Sequence, residues 1–455
     1  MNSSNDEIIA LQNSALEHLW VYGKQPSQMA EAGEPNIFTS GSGSTVTDIH
    51  GKTYIDAMSA LWLKNVGYGR KEIADAAYEQ MLELTYMPSG TTTKPTINLA
   101  QKISEITPGD LSRSFFTSGG SESNETAIKI VKAYFKRIGQ PLRTKFISRI
   151  GSYHGATAGA LALGSSPNFP KTDYEPMMPN TFHVPQPNPY RALISGLTDE
   201  EYANFCIKST EEMIKSQNPD TIAAIIAEPI SSPMGAIVPP PNYWPMLREL
   251  CDKYGCLLIA DEVITGFGRT GTMFGVEHWN VVPDIMTVAK GITSGYIPMG
   301  AAITRGCISD AFIGNDKATL QHIITFGGHP VAAAASLKNI EIIERENLVD
   351  NSKTMGLYLK QQLCALQEKH PIIGDVRGLG LFCAIEIVKD SVTKDYFEEK
   401  ADLAKILTSS LSEQGVLLKC GNVTNIAPPL CITKDEINNI VESLNIALGK
   451  FEDTL

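Results

Sequence analysis

Residues 257–290, LLIADEVITGFGRTGTMFGVEHWNVVPDIMTVAK, decide how this chain reads. Leu257, Leu258, Ile259 and Ala260 form the short apolar run of a strand buried on both faces, and the run delivers a carboxylate, Asp261, at its carboxyl end. A second apolar run, Ile285–Val288, leads into Lys290, whose setting TVAKGITSGYIPMG is apolar and glycine-rich. Lysine is almost never buried without a reason, and desolvation there lowers its pKa and favours imine chemistry. Residues two apart on a strand share a face, so Asp261 and Val263 are expected side by side under one bound ring.

Outward from this stretch, short β-rich runs alternate with helical ones from about residue 70 to 330, the pattern of a mainly parallel sheet covered by helices. Expected strands are Ser114–Phe116, Lys145–Ile150, Ile222–Ala227, Leu257–Ala260, Ile285–Val288 and Ala301–Thr304; expected helices include Glu122–Arg137, Glu200–Ser216 and Tyr243–Tyr254. Residues 45–58 alternate apolar and polar around His50–Gly51 and predict a hairpin. After Pro330 comes a long helical run, Val331–Glu346. The texture then changes to strand-like Leu381–Val388, helix-like Phe397–Gln414 and a final helix from Lys434. The expected organisation is a large α/β domain (66–335) and a small α+β domain assembled from both termini (1–65 and 336–455).

Ligands of open α/β sheets bind at the carboxyl ends of the strands, and four apolar runs here end in polar signatures. Ser114–Phe116 leads into TSGGSESNE, where Ser121 is the expected N-cap and Gly120 lets a phosphate approach a helix N-terminus. Lys145–Ile150 leads into GSYHG, where Tyr153 and His154 offer an aromatic platform. The other two end in Glu228–Pro229 and Asp261–Glu262. Each signature alone has a bland reading: a capped turn, a core tyrosine, a strand-end acid, a surface lysine. On one sheet edge they converge. An acid able to hold a heterocyclic N–H and a lysine able to form a Schiff base are what pyridoxal phosphate (PLP) demands of a protein. Gly266-Phe-Gly268-Arg-Thr-Gly271 fits a dinucleotide-binding pattern, but no convincing helix follows and no N-terminal βαβ unit frames it.

Composition agrees with a large globular enzyme. The 455 residues are 43% hydrophobic and 19% charged, with net charge −12 and scattered basic residues, which disfavours nucleic acid as a partner. No uncharged apolar run approaches ~18 residues, so no membrane span is expected. The first twenty residues lack a basic start followed by an apolar core, so no signal or transit peptide is expected. Eight cysteines without CxxC spacing read as reduced thiols in a cytoplasmic protein.

With these residues assembled, the chain resembles a class III (ω-type) aminotransferase of PLP fold type I over roughly residues 15–450. The 257–301 stretch resembles the family's lysine-site signature and FFTSGGSESNETAIK its phosphate cup; GSYHGAT, IIAEPI, TFGGHPVA, VRGLGL and APPL match in order. The resemblance implies a mainly parallel sheet of the seven-stranded type, with PLP carried as an imine on Lys290. It implies that Asp261 holds the pyridinium nitrogen, that Gly120 and Ser121 bind phosphate, and that Tyr153 and Val263 cover the ring faces. His154 and Glu228 would lie beside Asp261 and the cofactor. Thr325 would reach the neighbouring subunit's phosphate, making a homodimer or dimer of dimers part of the site. Ping-pong transfer from a small-molecule amine donor to a keto-acid acceptor follows, with Lys290 moving the proton.

LWLKNVGYGR and HLWVYG resemble pocket segments of amine:pyruvate and β-alanine:pyruvate members, which implies Trp62 and Tyr22 as pocket walls. Before APPL the chain departs from the family. Members that read glutamate or 2-oxoglutarate place an arginine where this chain has Asn425, and upstream only Lys419 stands near the arginine of amine:pyruvate members. A lysine is a point charge rather than a bidentate fork. Arg377 reads as structural. The leading expectation is transfer from a primary amine, or an ω-amino acid or sulfonate, to pyruvate. The alternatives are a GABA- or diamine-type enzyme using 2-oxoglutarate, or a PLP lyase or aminomutase.

Overall fold

The computed structural model describes residues 5–455 apart from 33, 89, 315 and 399–401. Three N-terminal strands, β1 (Phe38–Ser42), β2 (Thr45–Asp48) and β3 (Thr53–Asp56), form an antiparallel meander. The β2–β3 hairpin turns where the sequence suggests. Asp48 accepts the backbone N–H groups of His50 and Lys52 at 2.9 Å each, and Gly51 takes the left-handed conformation at φ 82°.

The central sheet comprises β4 (Leu111–Thr117), β5 (Lys145–Arg149), β6 (Thr181–Val184), β7 (Ile222–Ala227), β8 (Leu257–Asp261), β9 (Ile285–Val288) and β10 (Gly300–Arg305). Their spatial order is β4-β10-β9-β8-β7-β5-β6. Strand β10 is antiparallel to both its neighbours, and the other six run one way. Every residue of β7, β8 and β9 is buried, as expected of strands covered on both faces. The six expected strands are all present. Strand β6 was not expected, because an edge strand with three half-buried residues of four carries little apolar signal. The topology delivers the carboxyl ends of β4, β5, β7, β8 and β9 to one sheet edge.

The remaining strands are β11 (Ile373–Leu379), β12 (Phe382–Ile387), β13 (Val416–Leu417) and β14 (Val423–Ile426). Strands β11, β12 and β14 form an antiparallel sheet, while β13 pairs in parallel with β3 and joins the C-terminal third to the N-terminal meander. Helices Asp199–Ser216 and Lys434–Glu452 start at capping boxes, Thr198 with Glu201 and Thr433 with Glu436. The helix expected over Phe397–Gln414 is shorter, Leu403–Glu413; residues 399–401 lie outside the described residues. The GxGxxG stretch folds as a turn. Its Arg269 is fully buried and donates to the carbonyls of Leu381 and Pro428, to Ser59 Oγ and to Asn65 Oδ1, tying together segments from both ends of the chain. Among the described residues no helix is long and apolar enough to cross a membrane.

Candidate active site

Lys290 follows β9 at the middle of the sheet edge, with its backbone in the left-handed region at φ 46°, a costly conformation for a non-glycine residue. The turn is held from behind by Asn339, which donates to the carbonyls of Gly291 (2.8 Å) and Ile292 (3.0 Å). Burial pushes the Lys290 ammonium down to about 8; the charges of Asp261 and Glu228 oppose that shift and Arg269 adds to it. Its Nζ lies 5.5 Å from the centre of the Trp62 ring. Trp62 comes from the N-terminal segment, so the lysine is covered by a residue far away in sequence.

Asp261 ends β8 and is 4% exposed. Its Oδ2 accepts from His154 Nδ1 at 2.8 Å and from Asn124 Nδ2 at 2.9 Å, while Oδ1, among the described residues, accepts only the Val263 N–H at 3.2 Å. Glu228, after β7, is buried too; its Oε2 accepts from Ser231 Oγ at 2.9 Å and lies 3.6 Å from Arg149 Nη2. Burial raises the Glu228 carboxyl above its ordinary range; His154 and Arg149 oppose the shift and Asp261 adds to it. Tyr153, after β5, is raised by burial and then by the Asp261 charge, and its ring packs 4.4 Å from that of Phe169.

Two expectations need correction. Ser121 is not the N-cap of its helix. Helix Gly120–Arg137 is capped by Gly119 without a side-chain bond, and the Ser121 hydroxyl instead accepts the Ala156 N–H at 3.0 Å, tying the helix start to the loop after Tyr153. Val263 does not share a strand face with Asp261, because β8 ends at Asp261 and the chain turns. It reaches the site through that turn: a Cβ added at Gly120 would stand 2.9 Å from Val263 Cγ1. The glycine is what lets the helix N-terminus close against Val263.

Lys290, Asp261, His154, Glu228, Tyr153, Val263, Gly120, Ser121 and Trp62 thus gather at one edge. Three other candidates do not join them within one chain. Tyr22 is 98% exposed. Lys419 is exposed, with its backbone N–H against Met58 Sδ. Thr325 is exposed, its carbonyl accepting from Tyr86 Oη at 2.7 Å. Sequence reasoning missed Asn124 and Arg149. Asn124 was findable, since it lies one helical turn after Gly120 and so on the same face; a single arginine at a strand end carries no such signal.

The site fits pyridoxal phosphate. A buried carboxylate keeps acceptor capacity at Oδ1 for a ring N–H, a lysine of lowered pKa stands nearby, and a long helix turns its glycine-opened N-terminus, with no side-chain cap bond, toward the same edge, where an anion is favoured. The family model for class III aminotransferases matches residues 29–448. A probable aminotransferase of Mycobacterium tuberculosis is 43% identical over 448 residues, 96% of this chain and 94% of the relative. A taurine–pyruvate aminotransferase of Bilophila wadsworthia is 39% identical, with 99% of each chain covered. The crystal structure of an (S)-enantioselective ω-transaminase from Thermomicrobium roseum matches with a TM-score of 0.94 at 39% identity, covering 99% of this chain and 100% of that one. Fold, site and relatives agree: the chain belongs to the class III aminotransferases, enzymes that work with pyridoxal phosphate.

Proposed function

We propose that this aminotransferase moves an amino group from a primary amine, or from an ω-amino acid or sulfonate, to pyruvate, its two half-reactions alternating on one site. The observation that carries the reading is Lys290, half-buried with its Nζ over the Trp62 ring and lowered to about 8, with the Asp261 charge acting on it. At neutral to mildly alkaline pH a useful fraction of this lysine is the free amine, able to hold the cofactor and then to take and return a proton. Bound there, the cofactor supplies an aldehyde carbon that accepts the amino group and a ring that draws off electrons. Asp261 would keep the ring nitrogen protonated, Gly120 and Ser121 would receive the phosphate at the helix N-terminus, and Tyr153 and Val263 would enclose the ring. His154 orients Asp261, and Glu228 sits behind the same face. Trp62 walls the donor side of the pocket.

Pyruvate is the preferred acceptor in this reading because Asn425, on β14, donates to the Ser232 carbonyl at 3.2 Å and offers no cation for a second carboxylate. Burying a carboxylate unpaired costs several kcal/mol. The relative named for pyruvate supports the same choice. The site is completed in a dimer, with Thr325 serving the neighbouring subunit. Exposed apolar residues next to it in the chain, Ile323 (69%) and Phe326 (60%), with Tyr86 in contact with the same loop, are the kind of surface a second copy covers. Tyr22, 98% exposed in one chain, becomes a pocket wall in that assembly, and Lys419 meets the acceptor carboxylate. The large domain spans 66–335 and the small one 1–65 with 336–455. All eight cysteines are free and five are buried, which supports a reducing, cytoplasmic setting.

The test is a donor screen with pyruvate and 2-oxoglutarate as rival acceptors. Alanine formed from an amine donor, with the larger kcat/KM for pyruvate, is the expected result. A ratio favouring 2-oxoglutarate moves the enzyme to the GABA-type branch, and turnover of the amine without any keto acid identifies a lyase or aminomutase.

A further inference from the structure

Two donors converge on a single oxygen of Asp261, and one of them, Asn124, belongs to no role assigned above. Asn124 is 1% exposed, in the first turns of the helix that opens at Gly120. Its Nδ2 donates to the His154 carbonyl at 2.6 Å and to Asp261 Oδ2 at 2.9 Å. Both acceptors are oxygens, so the amide has one workable orientation; flipped, its own oxygen would face them both. Its Oδ1 is buried without a partner. His154 is constrained in the same way. Its Nδ1 faces the carboxylate and must carry the hydrogen, while its Nε2 is buried and unpartnered. Asn124 therefore grips the backbone of the residue whose ring also grips Asp261, and the three groups form a closed triangle.

A carboxylate held this way cannot rotate freely. Turning it to exchange its oxygens would strip two buried donors at once, each a charge-assisted bond. The geometry points to Asn124 as a positioning residue: by saturating Oδ2 together with His154, it turns Oδ1 of Asp261 toward the cofactor's ring nitrogen and sets how strongly that oxygen holds the N–H. Oδ1 meets only the 3.2 Å Val263 contact and has lone-pair capacity to spare. This inference rests on the reading that Asp261 holds the ring nitrogen, and the two are tested apart.

Apoenzyme forms of the native chain and of Asn124→Ala, Asn124→Asp and Asp261→Asn are titrated with pyridoxal phosphate, following visible absorbance. The absorbance of each complex is then followed against pH, with thermal unfolding of the apoenzymes as the check on folding. Asn124→Ala is expected to bind the cofactor roughly ten- to a hundredfold more weakly, the usual range for one hydrogen bond to a charged group. Asn124→Asp is expected to shift the pH midpoint of the absorbance change, because a second carboxyl against Asp261 Oδ2 shares a proton with it and couples the two titrations. A packing role alone predicts lower thermal stability with the midpoint unmoved. Native affinity in Asn124→Ala together with a native midpoint in Asn124→Asp overturns the inference while leaving the Asp261 reading intact, provided Asp261→Asn is impaired. A native affinity and midpoint in Asp261→Asn overturns both. If Asn124→Ala fails to fold, Asn124→Asp, nearly isosteric, decides by its midpoint.

Discussion

Replacing Asp261 with asparagine changes almost no volume and removes one buried negative charge. The structure dictates how the amide will sit. The native Oδ2 receives hydrogens from His154 Nδ1 (2.8 Å) and Asn124 Nδ2 (2.9 Å), so the single oxygen of the new side chain stays there. Its NH2 group then takes the place of Oδ1, where it meets the Val263 N–H and the ring nitrogen as a donor against donors. In the proposed reading, the acceptor and the charge are lost together at the point where the ring must stay protonated. Preorganised groups that stabilise transition-state charge are worth about 10²–10³ in kcat, roughly 3–4 kcal/mol, so turnover should fall by at least ~10²-fold. The charge of Asp261 also supports the Lys290 ammonium, so its loss carries that lysine below its native value of about 8. Single-turnover measurements with one amine donor separate the chemical step from product release, and thermal unfolding reports on the fold, which is expected to persist. Turnover within tenfold of native, in a folded and cofactor-loaded variant, would refute the reasoning.

Borohydride fixation of bound pyridoxal phosphate should place the label on Lys290 in a peptide map; a label on another lysine contradicts the assignment. The pH dependence of apoenzyme stability tests the same residue without any turnover. The folded-state pKa of Lys290 is depressed from 10.5 to about 8, so the cost of burying its charge is fully present below about 8 and is relieved as pH rises toward 10.5, where the unfolded chain binds more protons. Lys290→Met should therefore be more stable than the native chain at pH 7, with the gap narrowing by pH 9.5 in denaturant unfolding; a gap independent of pH counts against a buried ammonium. Mixing two inactive variants, Lys290→Ala and Thr325→Val, should restore part of the activity through hybrid dimers, whereas a fully active monomer in sedimentation excludes a shared site.

Much of this protein is written locally. Strands β7, β8 and β9 are legible because a strand buried on both faces must be apolar throughout, and the polar residue that ends each run marks the sheet edge where ligands bind. The positions of Asp261 and Lys290 just after two of these runs are legible in that pattern, and period-2 alternation around a turn and an apolar helical stretch make the hairpin at His50–Gly51 and the helix Tyr243–Tyr254 legible too. Tertiary structure decided the rest. Val263 is carried to the site by a turn rather than a strand, Ser121 spends its hydroxyl on Ala156, and Trp62 arrives over Lys290 from the far end of the chain. Which oxygen of Asp261 is taken up by side-chain donors depends on Asn124 and His154, two residues on other elements. Periodicity encodes which face of an element is buried. The partner a polar side chain finds there is chosen by long-range packing, because a buried donor or acceptor takes whichever group the fold brings within about 3 Å.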